Sequence, residues 1–112
     1  MINGFPNFFL MMGPNGTGLQ SALQTIEAQA DYAVNAMKEM QSAGLTSLHP
    51  KQTEVDAFTQ TVEGLFEHTT HNKGCTSWWS DQTGFNHSIW PGSIDDYRAM
   101  LADIDLTEFD TV

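Results

Sequence analysis

The chain opens with an apolar run, since residues 5–12 read F-P-N-F-F-L-M-M. A short apolar run that leads into a glycine-rich segment is typical of a strand enclosed within a sheet. Residues 13–18 (G-P-N-G-T-G) hold three glycines and a proline, which predicts a loop. Few other segments have a strand pattern, so we expect the neighbours of this strand to lie outside the chain.

Two long helices are predicted after the loop. From Leu19 the apolar positions recur at steps of three and four, and Gly44 is a suitable C-terminal stop. A turn over residues 47–50 leads to a second helix over residues 51–70. The apolar stripes consist of Leu19, Ala22, Leu23, Ile26, Ala30, Ala33, Val34, Met37 and Met40 in the first helix, and of Val55, Phe58, Val62, Leu65 and Phe66 in the second.

An irregular segment follows over residues 71–92, where turn-forming residues alternate with large aromatic rings. Rings in such a segment either pack it onto the helices or lie over a flat ligand. A short helix is then predicted over residues 93–102. The rings are those of Trp78, Trp79, Phe85 and Trp90.

The pattern indicates an α+β, mainly helical fold with one apolar strand, a glycine loop, two long packed helices and a short C-terminal helix. We predict a single domain over residues 1–112, and its strand without neighbours indicates a partial one. Residues 1–18 would form the strand and loop, residues 19–70 the helical pair, and residues 71–112 an aromatic cap with an acidic tail.

Charge and cysteine content exclude several classes of partner. Fourteen acidic and four basic residues give a net charge of −10, which repels nucleic acid and anionic membranes. Six of the acids lie within residues 95–110 and predict a solvated tail. Cys75 is the single cysteine, so no internal disulfide is expected and a reducing, cytoplasmic compartment fits. The apolar start lacks the features of a signal peptide, and no run predicts a membrane helix.

Two other kinds of site are weaker alternatives. His68, His71 and Cys75 have metal-ligand spacing, but no second pair of ligands completes a tetrahedral set. Cys75 with nearby histidines suggests a nucleophilic pair, although its surroundings lack the patterns of cysteine proteases. We assign no catalytic residue and no metal ligand.

The glycine loop matches neither G-x-G-x-x-G nor G-x-x-x-x-G-K-S/T, so it does not predict an independent nucleotide site. It nevertheless suits a phosphate or the polar edge of a cofactor ring. Glycines allow the backbone to approach a ligand closely, and the following helix presents its positive end.

Five blocks of sequence carry a family resemblance. They are residues 4–15 (G-F-P-N-F-F-L-M-M-G-P-N), 26–32 (I-E-A-Q-A-D-Y), 55–58 (V-D-A-F), 75–79 (C-T-S-W-W) and 90–98 (W-P-G…Y-R). In this order they resemble the C-terminal segment of the Baeyer–Villiger type flavin monooxygenases, whose motifs are G-F-P-N-L/F-F…G-P-N, I-E-A-Q-x-x-Y, V-D-A-F, C-x-S-W-Y and W-P-G…Y-R. Those enzymes use FAD and NADPH to insert oxygen into ketones.

The resemblance implies a part of a larger FAD/NAD(P)-binding fold and seven cofactor contacts. In the family, the G-P loop and the helix after it lie against the pyrimidine edge of the flavin, and the tryptophan of S-W-Y approaches NADPH. The corresponding residues are Gly13, Pro14, Asn15, Gly18, Ser21 and Ala22 for FAD, and Trp78 for NADPH. One departure is that residues 17–21 are one residue shorter than the family's G-L-G-H-x-S and have leucine for its histidine.

The resemblance also implies that something is missing. The family has two G-x-G-x-x-G folds, a linker F-x-G-x-x-x-H-x-x-x-W and an active-site arginine, whereas Arg98 is the single arginine here. We therefore expect the chain alone to be inactive and to hold neither cofactor stably. Its partner would be the N-terminal part of a monooxygenase, and the chain a truncated product or half of a split enzyme. For such a fragment, the exposed edge of the strand over residues 8–12 predicts self-association. The alternative is a small non-catalytic interaction protein that retains this scaffold and docks a partner through its strand edge or its helix stripes.

Overall fold

The computed structural model describes residues 1–18, 21–70 and 78–112, and the structural statements below refer to these residues. Within these ranges, three α-helices carry most of the fold, and four strands of two or three residues join distant segments. In chain order the elements are β1 Thr17–Gly18, α1 Ala22–Ala43, β2 Leu48–Pro50, α2 Gln52–Phe66, β3 Ile89–Trp90, α3 Ile94–Met100, a 3₁₀ turn Leu106–Glu108 and β4 Phe109–Thr111. The prediction of a mainly helical α+β fold is confirmed.

The helices lie where the apolar periodicity predicts them. Helix α1 begins after Ser21, slightly later than predicted, and ends at Gly44, whose left-handed conformation (φ 69°) lets its N–H bind the last turn of the helix. Helix α2 ends at Phe66, four residues before the predicted end. Helix α3 begins after Ser93, whose side chain caps it.

The prediction of a strand over residues 5–12 is wrong. Asn7 and Met12 adopt left-handed conformations (φ 59° and 53°), which turn the backbone out of an extended path. The Asn7 side chain takes the place of a strand neighbour, because its Oδ1 accepts from the Leu48 N–H at 3.1 Å while the Asn7 N–H donates to the Leu48 carbonyl at 2.9 Å. Phe8 and Leu10 remain exposed. The run therefore lies against β2 as a series of turns.

Two small sheets that the sequence pattern did not predict hold the chain together. Strands β1 and β3 are parallel, with Thr17 opposite Ile89. Strands β2 and β4 are antiparallel, with Pro50 opposite Phe109. The acidic side chains of residues 95–110 are exposed, as expected of a solvated tail. However, buried Phe109 anchors this segment in a sheet, so it is not a plain tail.

Apolar side chains form two buried clusters along α1. The predicted stripe of α2 is confirmed, because Val62 and Phe66 are fully buried in the first cluster. That cluster consists of Ala28, Val62, Phe66, Ile89, Trp90 and Tyr97, and the second of Ala36, Met40, Leu48 and Phe109.

The predicted apolar stripe of α1 mostly does not face these clusters, so this part of the prediction is wrong. Leu23 and Met37 are 74% and 54% exposed, and Ile26 and Val34 are exposed as well. Small residues line the buried side instead, since they let neighbouring segments approach the helix closely. The buried residues of α1 are Thr25, Ala28, Ala33, Ala36 and Met40.

Candidate functional site

The glycine-rich segment forms a tight turn that is bonded to the rest of the protein. The Gly16 N–H donates to the Gly13 carbonyl at 2.8 Å and closes the turn. Between them, Asn15 has a left-handed backbone (φ 51°), and its N–H donates to the His87 carbonyl at 2.8 Å. A Cβ on Gly16 would lie 2.7 Å from Gln29 Nε2. Glycine at this position therefore allows α1 to pack against the turn.

The side chain of Asn15 is buried and fully engaged as a donor. Asn15 is 4% exposed, and its Nδ2 donates to the carbonyls of Asn86 and Ile89, both at 2.8 Å. Buried polar groups that find such partners stabilise a fold, whereas unpaired ones cost free energy. The side-chain donors of Asn15 are thus committed to the protein interior.

A short hairpin presents the carbonyl groups that Asn15 binds. Ser80 and Asn86 form an antiparallel bridge across it. Asn86 is buried, and its Oδ1 accepts from the N–H groups of Ser88 and Ile89, both at 3.0 Å. These bonds fold residues 86–89 so that three of their carbonyls converge on Asn15.

Asp81 shapes the hairpin turn. Its carboxylate accepts from the N–H of Thr83 at 2.8 Å and from the N–H of Phe85 at 3.1 Å, and it lies 2.7 Å from His87 Nε2. Hydrogen bonds from the Thr83 side chain and from His87 lower the pKa of Asp81 well below its ordinary value.

Two residues that sequence reasoning did not single out connect the turn to the helices. Gln29 of α1 accepts from the Met12 N–H at 2.8 Å and donates to the Tyr97 hydroxyl of α3 at 2.7 Å. Both residues belong to blocks of the family resemblance. Gln29 lies four residues after Thr25, on the side of α1 that the structure buries and that the apolar stripe did not predict.

The start of α1 offers backbone donors to a ligand. Ser21 precedes the helix, but its side chain makes no capping hydrogen bond, and the first turn holds no acidic residue. The first N–H groups of a helix have no partner within it, and Ser21, Ala22 and Leu23 are exposed. A helix of 22 residues carries partial positive charge at this end. This arrangement fits the carbonyl edge of a flavin, where negative charge accumulates on reduction.

The two tryptophans on either side of the hairpin have different surroundings. Trp78 is 81% exposed and stacks on Trp79 with ring centroids 3.6 Å apart. Trp90 is buried, and its Nε1 donates to the Ser93 carbonyl at 2.9 Å. A Cβ on Gly92 would come within 3.0 Å of the Trp90 ring. Trp78 is therefore the ring with a free face for stacking.

Six of the seven candidate cofactor residues lie within residues 13–22, either on the turn and β1 or at the start of α1. Trp78 is far away along the chain, and the described contacts do not join it to them. The roles of all seven as cofactor contacts remain predictions. Gly13, Pro14 and Asn15 form the turn, Gly18 ends β1, and Ser21 and Ala22 begin α1.

The alternative sites fall largely on residues 71–77, which lie outside the described residues together with residues 19–20. This holds for His71 and for Cys75, while His68 is exposed just after α2. In the part of the chain that the structure describes, no group of three His, Cys, Asp or Glu side chains could hold a metal ion. None of the described helices has the length and apolarity needed to cross a membrane.

The chain is similar to bacterial and fungal monooxygenases. It is 35% identical over 109 residues to a Baeyer–Villiger monooxygenase of Streptomyces coelicolor and 32% identical over 109 residues to one of Pseudomonas aeruginosa; both matches cover 95% of this chain and 21% of the relative. It is 31% identical over 106 residues to the FAD-binding monooxygenase moxY of Dothistroma septosporum, covering 89% of this chain and 16% of that protein. No protein-family model matches the chain.

The chain therefore spans only about a fifth of the length of these relatives. Because the similarity extends over nearly all of its residues, the chain is a homologue of one segment of the Baeyer–Villiger type monooxygenases. The resemblance to their C-terminal segment is confirmed.

Proposed function

We propose that this chain is the C-terminal portion of a Baeyer–Villiger type monooxygenase, an enzyme that uses FAD and NADPH to oxygenate ketones. The chain would then form part of a larger FAD/NAD(P)-binding fold. The observation that carries the proposal is the bonded glycine turn, followed after a short stretch by the exposed start of α1, where the Ser21 side chain makes no capping hydrogen bond. The names of relatives, one of which is called FAD-binding, support the same class of enzyme.

In this proposal the chain helps to position the cofactors and supplies partial positive charge near the flavin. FAD and NADPH supply the redox chemistry when they are bound. The N–H groups of the first turn of α1 would help to hold the flavin and would offset negative charge on it. The exposed face of Trp78 stacks on the nicotinamide. The proposed FAD contacts are Gly13, Pro14, Gly18, Ser21 and Ala22, whereas Asn15, the sixth residue that the resemblance assigns to FAD, would act by holding the turn because its donors are committed to the protein interior.

The rest of such a monooxygenase is the partner that we propose. The relatives are several times longer than this chain, and the described residues leave apolar surface uncovered on α1 and over residues 5–11. Without that partner, we expect the chain to have no turnover and no stable cofactor.

A chimera tests the function directly. The matching segment of the Streptomyces coelicolor relative is replaced by this chain, and the purified product is assayed for bound flavin by absorbance and for ketone-dependent oxidation of NADPH. We expect the chimera to retain FAD and to turn over, and the isolated chain to do neither. A folded chimera that holds no FAD would contradict the proposal.

A charge at the start of α1 tests the role of that helix end within the chimera. Ser21→Asp adds a carboxylate that caps α1 and stabilises it by about 0.5–1 kcal/mol. The same carboxylate repels the flavin edge, so we expect FAD affinity to fall about tenfold, or about 1.4 kcal/mol. Gln41→Asp, which adds the same charge at the other end of α1, is the matched control. Equal FAD affinity in both variants would show that the helix start does not face the flavin.

The second candidate is a small non-catalytic interaction protein, and the uncovered apolar surface favours it. In that case the chain alone binds a protein partner or itself through this surface. Light scattering of the purified chain and a flavin titration separate the two functions. A chimera that folds without FAD, together with a defined oligomer of the isolated chain, would support the interaction protein.

A further inference from the structure

Gln29 contacts the glycine turn and a second helix at the same time. Its Oε1 accepts from the Met12 N–H at 2.8 Å, and its Nε2 donates to the Tyr97 hydroxyl at 2.7 Å. The side chain is half-buried between these partners. Both ends of the Gln29 amide are thus engaged, one with the entrance to the turn and one with α3.

The same side chain also abuts the exit of the turn. A Cβ on Gly16 would lie 2.7 Å from Gln29 Nε2, so the Gly16 backbone packs directly against the amide. Met12 has a left-handed backbone (φ 53°), which is unusual for a residue with a long side chain. Such a conformation persists when surrounding bonds hold it, and the bond to Gln29 is one of these.

We propose that Gln29 is the positioning residue of the glycine turn. It fixes residues 12–16 at both ends relative to α1 and connects them to α3. The position of the turn is a property of the chain alone. Its consequence for FAD rests on the proposed function, so the two are tested separately.

Substitutions at Gln29 distinguish positioning from plain packing. Gln29→Leu keeps a similar volume but removes both hydrogen bonds. In Gln29→Glu the carboxylate still accepts from the Met12 N–H, and the Tyr97 hydroxyl can reverse its role and donate to it. Tyr97→Phe removes only the bond to α3. If the hydrogen bonds of Gln29 hold the turn, Gln29→Glu should preserve the position of the turn and Gln29→Leu should not.

Amide hydrogen exchange in the intact chain, followed by NMR, measures the turn directly. We expect Gln29→Leu to speed exchange at Met12 and Gly16 at least tenfold, Gln29→Glu to stay within about threefold of the wild type, and Tyr97→Phe to lie between. Gln41→Leu, on the exposed side of α1, is the control for replacing a polar side chain of the helix by an apolar one. Equal exchange at Met12 and Gly16 in Gln29→Leu and Gln41→Leu would overturn the proposal.

The ionisation of Tyr97 gives a second readout that protein stability alone would not change. Burial raises the pKa of Tyr97, and the hydrogen bond from Gln29 lowers it. The pKa of Tyr97 should therefore rise further in Gln29→Leu. Because the chain has two tyrosines, ultraviolet titration in a Tyr32→Phe background isolates the signal. An unchanged Tyr97 pKa would contradict the proposed bond.

The chimera then separates the two proposals. If the wild-type chimera holds FAD, Gln29→Leu should weaken its binding several-fold, and Gln29→Glu should restore it. Unchanged binding in Gln29→Leu would overturn the consequence for FAD. If the wild-type chimera folds but holds no FAD, the proposed function fails, and the exchange and titration results still decide whether Gln29 positions the turn.

Discussion

Replacement of Asn15 is the most direct test of how the glycine turn is held. Its side chain bonds two backbone carbonyls while it is nearly inaccessible to water, and its backbone is left-handed. Asn15→Gly removes the side-chain bonds but accepts the backbone conformation without strain. Asn15→Ala removes the same bonds and adds the strain of a Cβ at positive φ.

The magnitude follows from the two bonds. Each net hydrogen bond contributes about 0.5–1.5 kcal/mol, and a buried group left without a partner costs about 1–3 kcal/mol. We therefore expect Asn15→Gly to lower the free energy of unfolding by about 2–4 kcal/mol. Asn15→Ala should cost about 0.5–1 kcal/mol more, because its strain at positive φ is partly offset by the lower entropy of its unfolded chain. A small domain has only about 5–15 kcal/mol in total, so both changes should be clear.

Asn7 provides a matched comparison for this experiment. It has nearly the same backbone (φ 59°), and its side chain also bonds backbone groups, but it is exposed. Water can replace its partners, so Asn7→Gly should cost no more than about 1 kcal/mol. Urea unfolding followed by circular dichroism gives both values. A loss for Asn15→Gly that does not exceed the loss for Asn7→Gly would refute the reasoning from burial.

Three further predictions concern charge and the exposed face of α1. Hydrogen bonds lower the Asp81 pKa, so its contribution to stability is present above its unfolded pKa of about 4 and is lost as the pH falls further. Asp81→Asn should therefore flatten the acid-side loss of stability in thermal melts relative to the wild type. The Glu108 pKa is raised by partial burial and by the nearby charges of Glu54 and Asp105. Glu108→Gln should therefore stabilise the chain at pH 7 by a few tenths of a kcal/mol. In thermal melts this gain should vanish below about pH 4, where Glu108 is protonated. Met37→Lys should reduce self-association in light scattering and change stability by less than about 0.5 kcal/mol.

The sequence predicted the helices, which depend on residues close together in the chain. It did not predict the strand pairs, which depend on residues far apart. The stop at Gly44 is a local signal, and the three helices of the described residues were predicted from the apolar pattern. The four strands have two or three residues each, too few for a periodic pattern, and only pairing across the chain defines them. The apolar content of residues 5–12 does not correspond to burial, because Phe5, Phe8, Leu10 and Met11 are exposed.

The sequence singled out the glycine turn and the start of α1, but it did not predict the residues that hold the turn in place. The family blocks identified the turn and the start of α1 because both belong to one continuous stretch. Gln29, Asn86 and Asp81 support the turn from other parts of the chain, and their roles depend on contacts that the spacing of residues does not encode.

The remaining apolar surface constrains how a partner could bind. Eight side chains on residues 5–11 and on α1 (Phe5, Phe8, Leu10, Met11, Leu23, Ile26, Val34 and Met37) are between 39% and 74% exposed. Burial of about half of each would contribute about 6–12 kcal/mol in total, at about 1.5–3 kcal/mol for a whole side chain. Association of two separate molecules costs about 4–15 kcal/mol, which largely cancels this gain. A partner supplied as a separate polypeptide should therefore bind weakly, whereas one joined through the backbone avoids most of that cost and should cover the surface fully.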